Sequence, residues 1–345
     1  DCVFFRIKRK IGETMKKQPI TYGGQALMEG VMMQGGGGYS MAVRTATGDI
    51  IYKNGKRTSL RDRYKILRLP ILRGLVSFIE SMMFGFSALS WSAAQAGEEE
   101  EKLSWKEIAV AVVAAVVLSV VFFVVLPVFL ASFSLEYLGY FGRSLVEGLL
   151  RIGLFLGYVL MIRRFPDVAR VFEYHGAEHK TISTFEGGKR LLPVNAAEYS
   201  TIHCRCGTSF ILMSMIMMVI IFTFVGNTNV AGRILTKIIL MPVVFGISFE
   251  VFRLPLKFPN SKIVKLLVTP GLQMQKLTTK EPDDGQLEVA MTALMTIPGF
   301  PKGENTLPPR VYHIDEYEKM MADKKAETVP AESAKVAIVE QQGAL

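Results

Sequence analysis

Cysteine is scarce in this chain. Among 345 residues there are three, Cys2, Cys204 and Cys206. An odd, sparse set excludes a disulfide scaffold and leaves a reducing compartment or thiolates used as ligands. Histidine is nearly as rare, with four residues. An initiating Met is also missing. Val3-Phe4-Phe5 is too short for the apolar region of a signal peptide. Residues 1–14 read as a leader unrelated to the rest, with Met15 as the natural start. The composition, 50% hydrophobic and 21% charged, excludes a disordered or collagen-like chain.

The apolar residues come in blocks, and that decides the class. Ile108 to Leu135 carries no charge, and neither does Cys206 to Gly232. Each is long enough for a hydrocarbon core of about 30 Å, which needs about 20 helical residues. Pro127 kinks or ends the first run. Ser144 to Ile162 is apolar apart from Glu147 and Arg151, which are spaced to pair on one helix face. Ile234 to Phe252 is apolar apart from Lys237 and Glu250. These four segments read as membrane spans. Ile66 to Gly97 reads instead as an amphipathic helix on the cytoplasmic face or packed against the bundle. Its Gly85, Ser87, Ser90 and Ser92 lower its hydrophobicity, and a fifth span would disturb the charge pattern.

That pattern follows the +9 net charge. The loop 163–205 holds seven Lys or Arg, and Arg253, Lys257, Lys262 and Lys265 follow the last span. The connections on the other side are short and nearly uncharged. Positive-inside bias places both termini and the long loop in the cytoplasm, so the basic balance does not call for specific nucleic-acid binding.

The fold class expected is mainly α, a polytopic membrane protein with about four transmembrane helices, a small N-terminal β-hairpin region and cytoplasmic helical loops. Residues 15–64 form the Gly-rich segment and the hairpin. Residues 65–106 form the amphipathic helix and an acidic turn, Glu98 to Glu101. Residues 107–252 form the spans, with cytoplasmic loop 163–207, and 253–321 a cytoplasmic C-terminal segment. Residues 322–345 read as a disordered tail. Within the N-terminal part, Tyr39 to Lys53 alternates around a Thr47-Gly48-Asp49 turn, and Asn54-Gly55 is a second turn signal. The Gly35 to Gly38 run reads as a flexible connector. The Gly-rich segment before it lacks the Gly-Lys-Ser/Thr ending of a phosphate-binding loop.

Pro166-Asp167 opens a cytoplasmic helix and Gly187-Gly188 closes it. Between them stands His175-Gly176-Ala177-Glu178-His179, the inverted zincin spacing. Histidines four apart share a helix face, so both imidazoles reach one ion, and Glu178 is placed as a general base. His203-Cys204-Arg205-Cys206-Gly207 lies on the same side and adds ligands suited to Zn²⁺. The metal candidates are His175, His179, His203 and Cys206, with Cys204, Glu250 and Glu29 as additional ones. Gly176 costs about 1 kcal/mol inside a helix and calls for a distortion or a close neighbour. Gly207 is expected to admit a close backbone approach, and His313 reads as a surface residue.

Four motifs resemble a YqhQ-like bacterial membrane protein family, a group of unknown function. They are the segment Tyr22 to Met33, the segment Tyr174 to Lys180, Arg205 to Phe210, and the block from Pro270 to Ala290. The resemblance runs from Thr21 to Ala293. It implies a multi-pass protein of the bacterial inner membrane, described in family terms as a predicted metal-dependent enzyme. Cys204 departs from the family pattern, in which proline commonly precedes Arg205, and this favours Cys206 as the ligand.

Two function classes follow. The first is a metal-dependent, zinc-like hydrolase with its site on the cytoplasmic face, acting on a membrane-proximal substrate. The second is a non-enzymatic scaffold or assembly factor with a structural metal and a protein partner. A transporter ranks third, since no internal repeat is visible.

Overall fold

The computed structural model describes residues 21–97, 105–133, 135–224, 229–258 and 261–323. The leader, the acidic run Glu98 to Glu101 and nearly all of the C-terminal tail lie outside the described residues.

The N-terminal part is a meander: β1 (Gly23–Leu27), β2 (Gly30–Gly35), β3 (Gly38–Arg44) and β4 (Ile50–Lys56). The hairpin around Thr47 to Asp49 is present as expected. The Gly35 to Gly38 run is not a flexible connector. Gly36 and Gly37 have φ of 62° and 82° and make the two-residue turn between β2 and β3. Only that left-handed pair matches the twist of a tight hairpin. Asn54-Gly55 is not a turn either. Both residues lie in β4, opposite Ser40 and Tyr39. Asn54 Nδ2 donates to the Thr296 carbonyl at 2.7 Å, so a tertiary contact overrides the local signal.

Alternation sends the sheet's side chains to two different partners. Val31, Met33, Ala42 and Ile50 face a core with Tyr174, Ala177, Leu287 and Leu294. Leu27, Met32 and Met41 face Phe84, Ala88 and Trp91 on α1 (Leu72–Ala96). The sheet is therefore covered on both faces.

Four helices are long and apolar enough to cross a membrane: α1, Ala109–Ser132, Phe141–Ile162 and Val230–Phe252. The second lies in α2 (Trp105–Val120), which runs through a π-helical turn, Val121–Val125, into Leu126–Ser132. Pro127 therefore does not end the run. It lacks an N–H for the carbonyl of Phe123 four residues back. Arg151 Nε donates to that carbonyl at 2.6 Å. The third lies in α3 (Leu135–Ile162), where Glu147 and Arg151 pair at 2.8 Å as their spacing predicts.

Two segments differ in length or hydropathy from what the sequence pattern predicts. The helix within the expected Cys206 to Gly232 span has 17 residues, about 26 Å of rise, although it is apolar throughout. By contrast α1, expected as an amphipathic helix on the cytoplasmic face or packed against the bundle, meets the length and hydropathy of a span, and it does pack against the bundle. Its small residues mark close contacts rather than weak hydrophobicity. A Cβ on Gly74 would meet Phe249 and Gly246, and one on Gly85 would meet the Gln25 side chain. Ser92 Oγ accepts from Met28 N–H at 3.2 Å. The first half of α1 thus packs on the bundle and the second on the sheet.

The remaining helices position the site. They are α4 (Pro166–Glu186), α5 (Gly207–Thr223), α6 (Val230–Phe252), α7 (Lys262–Thr278) and α8 (Asp284–Met295). The α4 bounds are those the Pro and Gly signals predict. An Asp283–Gln286 capping box starts α8, which packs on α4 and the sheet. A fifth strand, Val311–His313, joins β4 in parallel. There His313 packs its ring edge-on to Tyr52 and is part-exposed.

Candidate metal centre

One group of at least three potential ligands converges among the described residues: His175, His179 and Cys206. Their ligand atoms lie within 4.8 Å of one another, and all three residues are buried. The imidazoles lie one helical turn apart on α4 and meet edge-on, with ring centres 4.4 Å apart. Cys206 is the N-cap of α5 and a free thiol.

Both histidines are oriented from behind. His175 Nδ1 is 2.8 Å from the Thr278 carbonyl, and His179 Nδ1 is 2.5 Å from the Thr201 carbonyl. A carbonyl can only accept, so each Nδ1 carries the proton and each Nε2 is left to bind. His175 Nε2 sits 3.1 Å from Cys206 Sγ. Such carbonyl-anchored imidazoles are the usual support of a metal-binding histidine.

The electrostatics favour a thiolate. Burial pushes the Cys206 thiol up, but His175 and His179 outweigh it and hold it well below its ordinary range. Burial pulls His175 down, the Cys206 thiolate and Glu178 pull it up, and the balance stands at about 9. The Glu178 carboxyl is pushed up by burial, against the pull of the two histidines. It accepts from the Gly24 backbone N–H, and a Cβ on Gly24 would come within 3.1 Å of its Cδ.

A pH dependence follows. At pH 7 His175 carries a proton that an incoming cation must displace, whereas the two histidines hold the Cys206 thiol well below its ordinary range. Zinc affinity of the metal-free protein is expected to rise about tenfold per pH unit from 7 towards 9, with about one proton released. Calorimetry in two buffers of different ionisation enthalpy reads that proton. A pH-independent affinity counts against the ligand set.

The other candidates fall elsewhere. His203 is buried and its ring centre is 5.6 Å from that of His179, outside the converging group. Its Nε2 faces Glu186 Oε2 at 3.6 Å. Burial lowers its pKa further than Glu186 raises it. Cys204 lies two residues from the ligand thiol, outside the group. Glu29 sits in the β1–β2 turn at φ 50°, paired with Arg170 and accepting from Tyr174 Oη at 3.1 Å. Glu250 pairs with Arg73, tying α6 to α1. Gly207 has open space where its Cβ would be, so no close approach explains it. Gly176 has the expected neighbour: a Cβ there would lie 2.0 Å from the Lys280 carbonyl oxygen.

Sequence reasoning missed Gln275, which is fully buried. Its Oε1 accepts from His203 N–H at 2.8 Å, and its Nε2 donates to the His203 carbonyl and Ser209 Oγ at 2.8 and 2.7 Å. That amide pins the loop carrying Cys206. A glutamine on the apolar face of α7 was the available signal.

The comparisons agree with these motifs. The family described as "Protein of unknown function (DUF1385)" matches residues 69–299. "Uncharacterized protein YqhQ" of Bacillus subtilis (strain 168) is 36% identical over 294 residues, covering 80% of this chain and 91% of that protein. No solved structure matches. With its family match across most of the chain, and a relative that shares it nearly end to end, this protein belongs to the DUF1385 family.

Proposed function

We propose that the chain is an integral membrane, metal-dependent hydrolase with its site on the cytoplasmic face. One observation carries this reading: two Nε2 atoms and a thiolate converge beside a buried, high-pKa carboxylate, with both imidazoles anchored through Nδ1. Two nitrogens and one sulfur suit Zn²⁺, and three protein ligands leave one position open, the arrangement of catalytic rather than structural zinc. A zinc ion held there supplies Lewis acidity at neutral pH. Glu178 takes a proton from an attacking water and passes it to the leaving group, and burial pushes its carboxyl up from the ordinary range, the direction that suits a general base. Thr278, Thr201 and Gln275 hold the ligands in place.

The substrate is membrane-proximal, because Cys206 caps the apolar helix α5. In this reading α2, α3, α5 and α6 cross a bacterial inner membrane with both termini inside, and α1 lies against the bundle and the sheet. A reporter fused at Gly188 then reports the cytoplasm.

The decisive measurement is metal content of the purified protein and its Glu178→Gln variant, with complementation of a strain lacking the chain. About one metal per chain in both, with complementation lost only in the variant, is expected. Absence of stoichiometric metal sinks the reading. A fully complementing variant makes the metal structural, and the protein a scaffold.

A further inference from the structure

At the far end of the bundle from the metal centre, charge is buried out of balance. Glu147 on α3 is 2% exposed and is the carboxylate of the cluster. Arg151 and Arg233 reach it at 2.8 and 2.6 Å, and Lys237 pairs with it as well. Arg143, 4% exposed, lies within Coulombic range of Arg233. Among the described residues, four buried cations face one carboxylate. Arg143 Nε and Arg233 Nη1 have no hydrogen-bond partner. Unpaired buried charge costs several kcal/mol per ion, and within a membrane bundle such residues mark a ligand or an ion path. Glu147 lies six residues from the end of its apolar helix and Lys237 seven from the end of its own. The cluster therefore sits about 10 Å inside, just below headgroup level.

A second observation adjoins it. A groove of about 1030 Å³ runs between α2 and α3, lined by Phe122, Val146, Leu150, Gly153 and Gly157. It begins one residue from Glu147 and extends to Met161, about 22 Å along the helix, more than the roughly 15 Å of one leaflet. Phe123 joins the two features: its side chain lines the groove and its carbonyl accepts from Arg151. No neighbour lies within 4 Å of a Cβ placed on Gly153 or Gly157, so the groove floor is open.

We propose that the cluster and groove together hold one anionic phospholipid, with its phosphate on Arg143 and Arg233 and an acyl chain along Gly153 and Gly157. Guanidinium forks match phosphate oxygens in pairs. An excess of three positive charges selects an anionic headgroup over a zwitterionic one, whose own ammonium offsets its phosphate. The proposal rests on the membrane placement of α2, α3 and α6, and is independent of the metal.

Native mass spectrometry of the full chain in neutral detergent, given equimolar phosphatidylglycerol and phosphatidylcholine, tests it. One retained phosphatidylglycerol per chain is expected, with little phosphatidylcholine. Arg143→Gln is expected to lower retention about tenfold, the scale of one charge-assisted hydrogen bond. Gly157→Leu fills the groove without touching the cluster. It should cut lipid retention while leaving the binding of inorganic phosphate unchanged. An unchanged helical circular dichroism signal and a single monodisperse gel-filtration peak show that each variant is folded. Equal retention of both lipids, no retained lipid, or phosphate binding with a Gly157→Leu variant that keeps its lipid overturns the proposal.

Discussion

Cys206→Ser is expected to empty the metal site while leaving the fold in place. In the proposed site the thiolate is the ligand that joins α5 to the two histidines of α4, and a serine hydroxyl stays protonated at neutral pH. Loss of an outer partner of a metal ligand already costs 10–100-fold in affinity, so loss of a ligand should cost at least about a hundredfold. Serine is close in size, and its hydroxyl can keep hydrogen bonds of the kind the thiol makes with His175 Nε2 and Thr208 Oγ1, at 3.1 and 3.0 Å. Metal analysis after gel filtration checks the result. A Cys206→Ser protein that retains a full equivalent of zinc would show that the histidines bind with other partners.

Gly176→Val should prevent the sheet and the helices α4 and α8 packed on it from folding. The clash is with backbone: the added Cβ would stand 2.0 Å from the Lys280 carbonyl oxygen and 3.2 Å from Thr201 Cγ2. Lys280 cannot retreat freely, because its own N–H donates to the Phe172 carbonyl on α4 at 2.9 Å. Overpacking of a tight core costs about 1–3 kcal/mol even where side chains can yield. Here the backbone of both strands of the contact must part, against a total stability of about 5–15 kcal/mol. The variant should be recovered mainly as aggregate or proteolysed chain. Gly207→Ala, with nothing near its Cβ, should behave as the native protein. Limited proteolysis of the two in parallel separates a local from a general effect of removing glycine.

Much of this architecture was written locally. Pro166 and Gly187 bound α4 because proline fits only a helix's first turn and glycine follows its last. The i,i+4 spacing alone placed both imidazoles on one face. The misreadings share a cause. Asn54-Gly55 and the small residues of α1 carry local signals that distant neighbours override: Thr296 for the first, Gly246 and Gln25 for the second. His203 was placed among the ligands by proximity in sequence to Cys206. Its ring is turned instead to Glu186 by the grip of Gln275 on its backbone, a contact 72 residues away. Carbonyl anchors such as Thr278 and Thr201 leave no mark in a side-chain pattern, since any residue supplies the same oxygen.

The sheet closes with a parallel strand, Val311–His313, against Ile50 to Tyr52. Parallel neighbours need a crossover connection, and here the crossover contains every long apolar helix among the described residues. Such distant pairing is the slow kind. On a ribosome, β1–β4 emerge first and wait with one edge and the α8-facing surface uncovered while the helical bundle is synthesised. Thr278, which anchors His175, and α8, which backs α4, come after the last apolar helix. The candidate metal centre is therefore assembled only after the last of the long apolar helices has been made. A chain stalled before residue 278 would carry both histidines and the thiol without the frame that aims them.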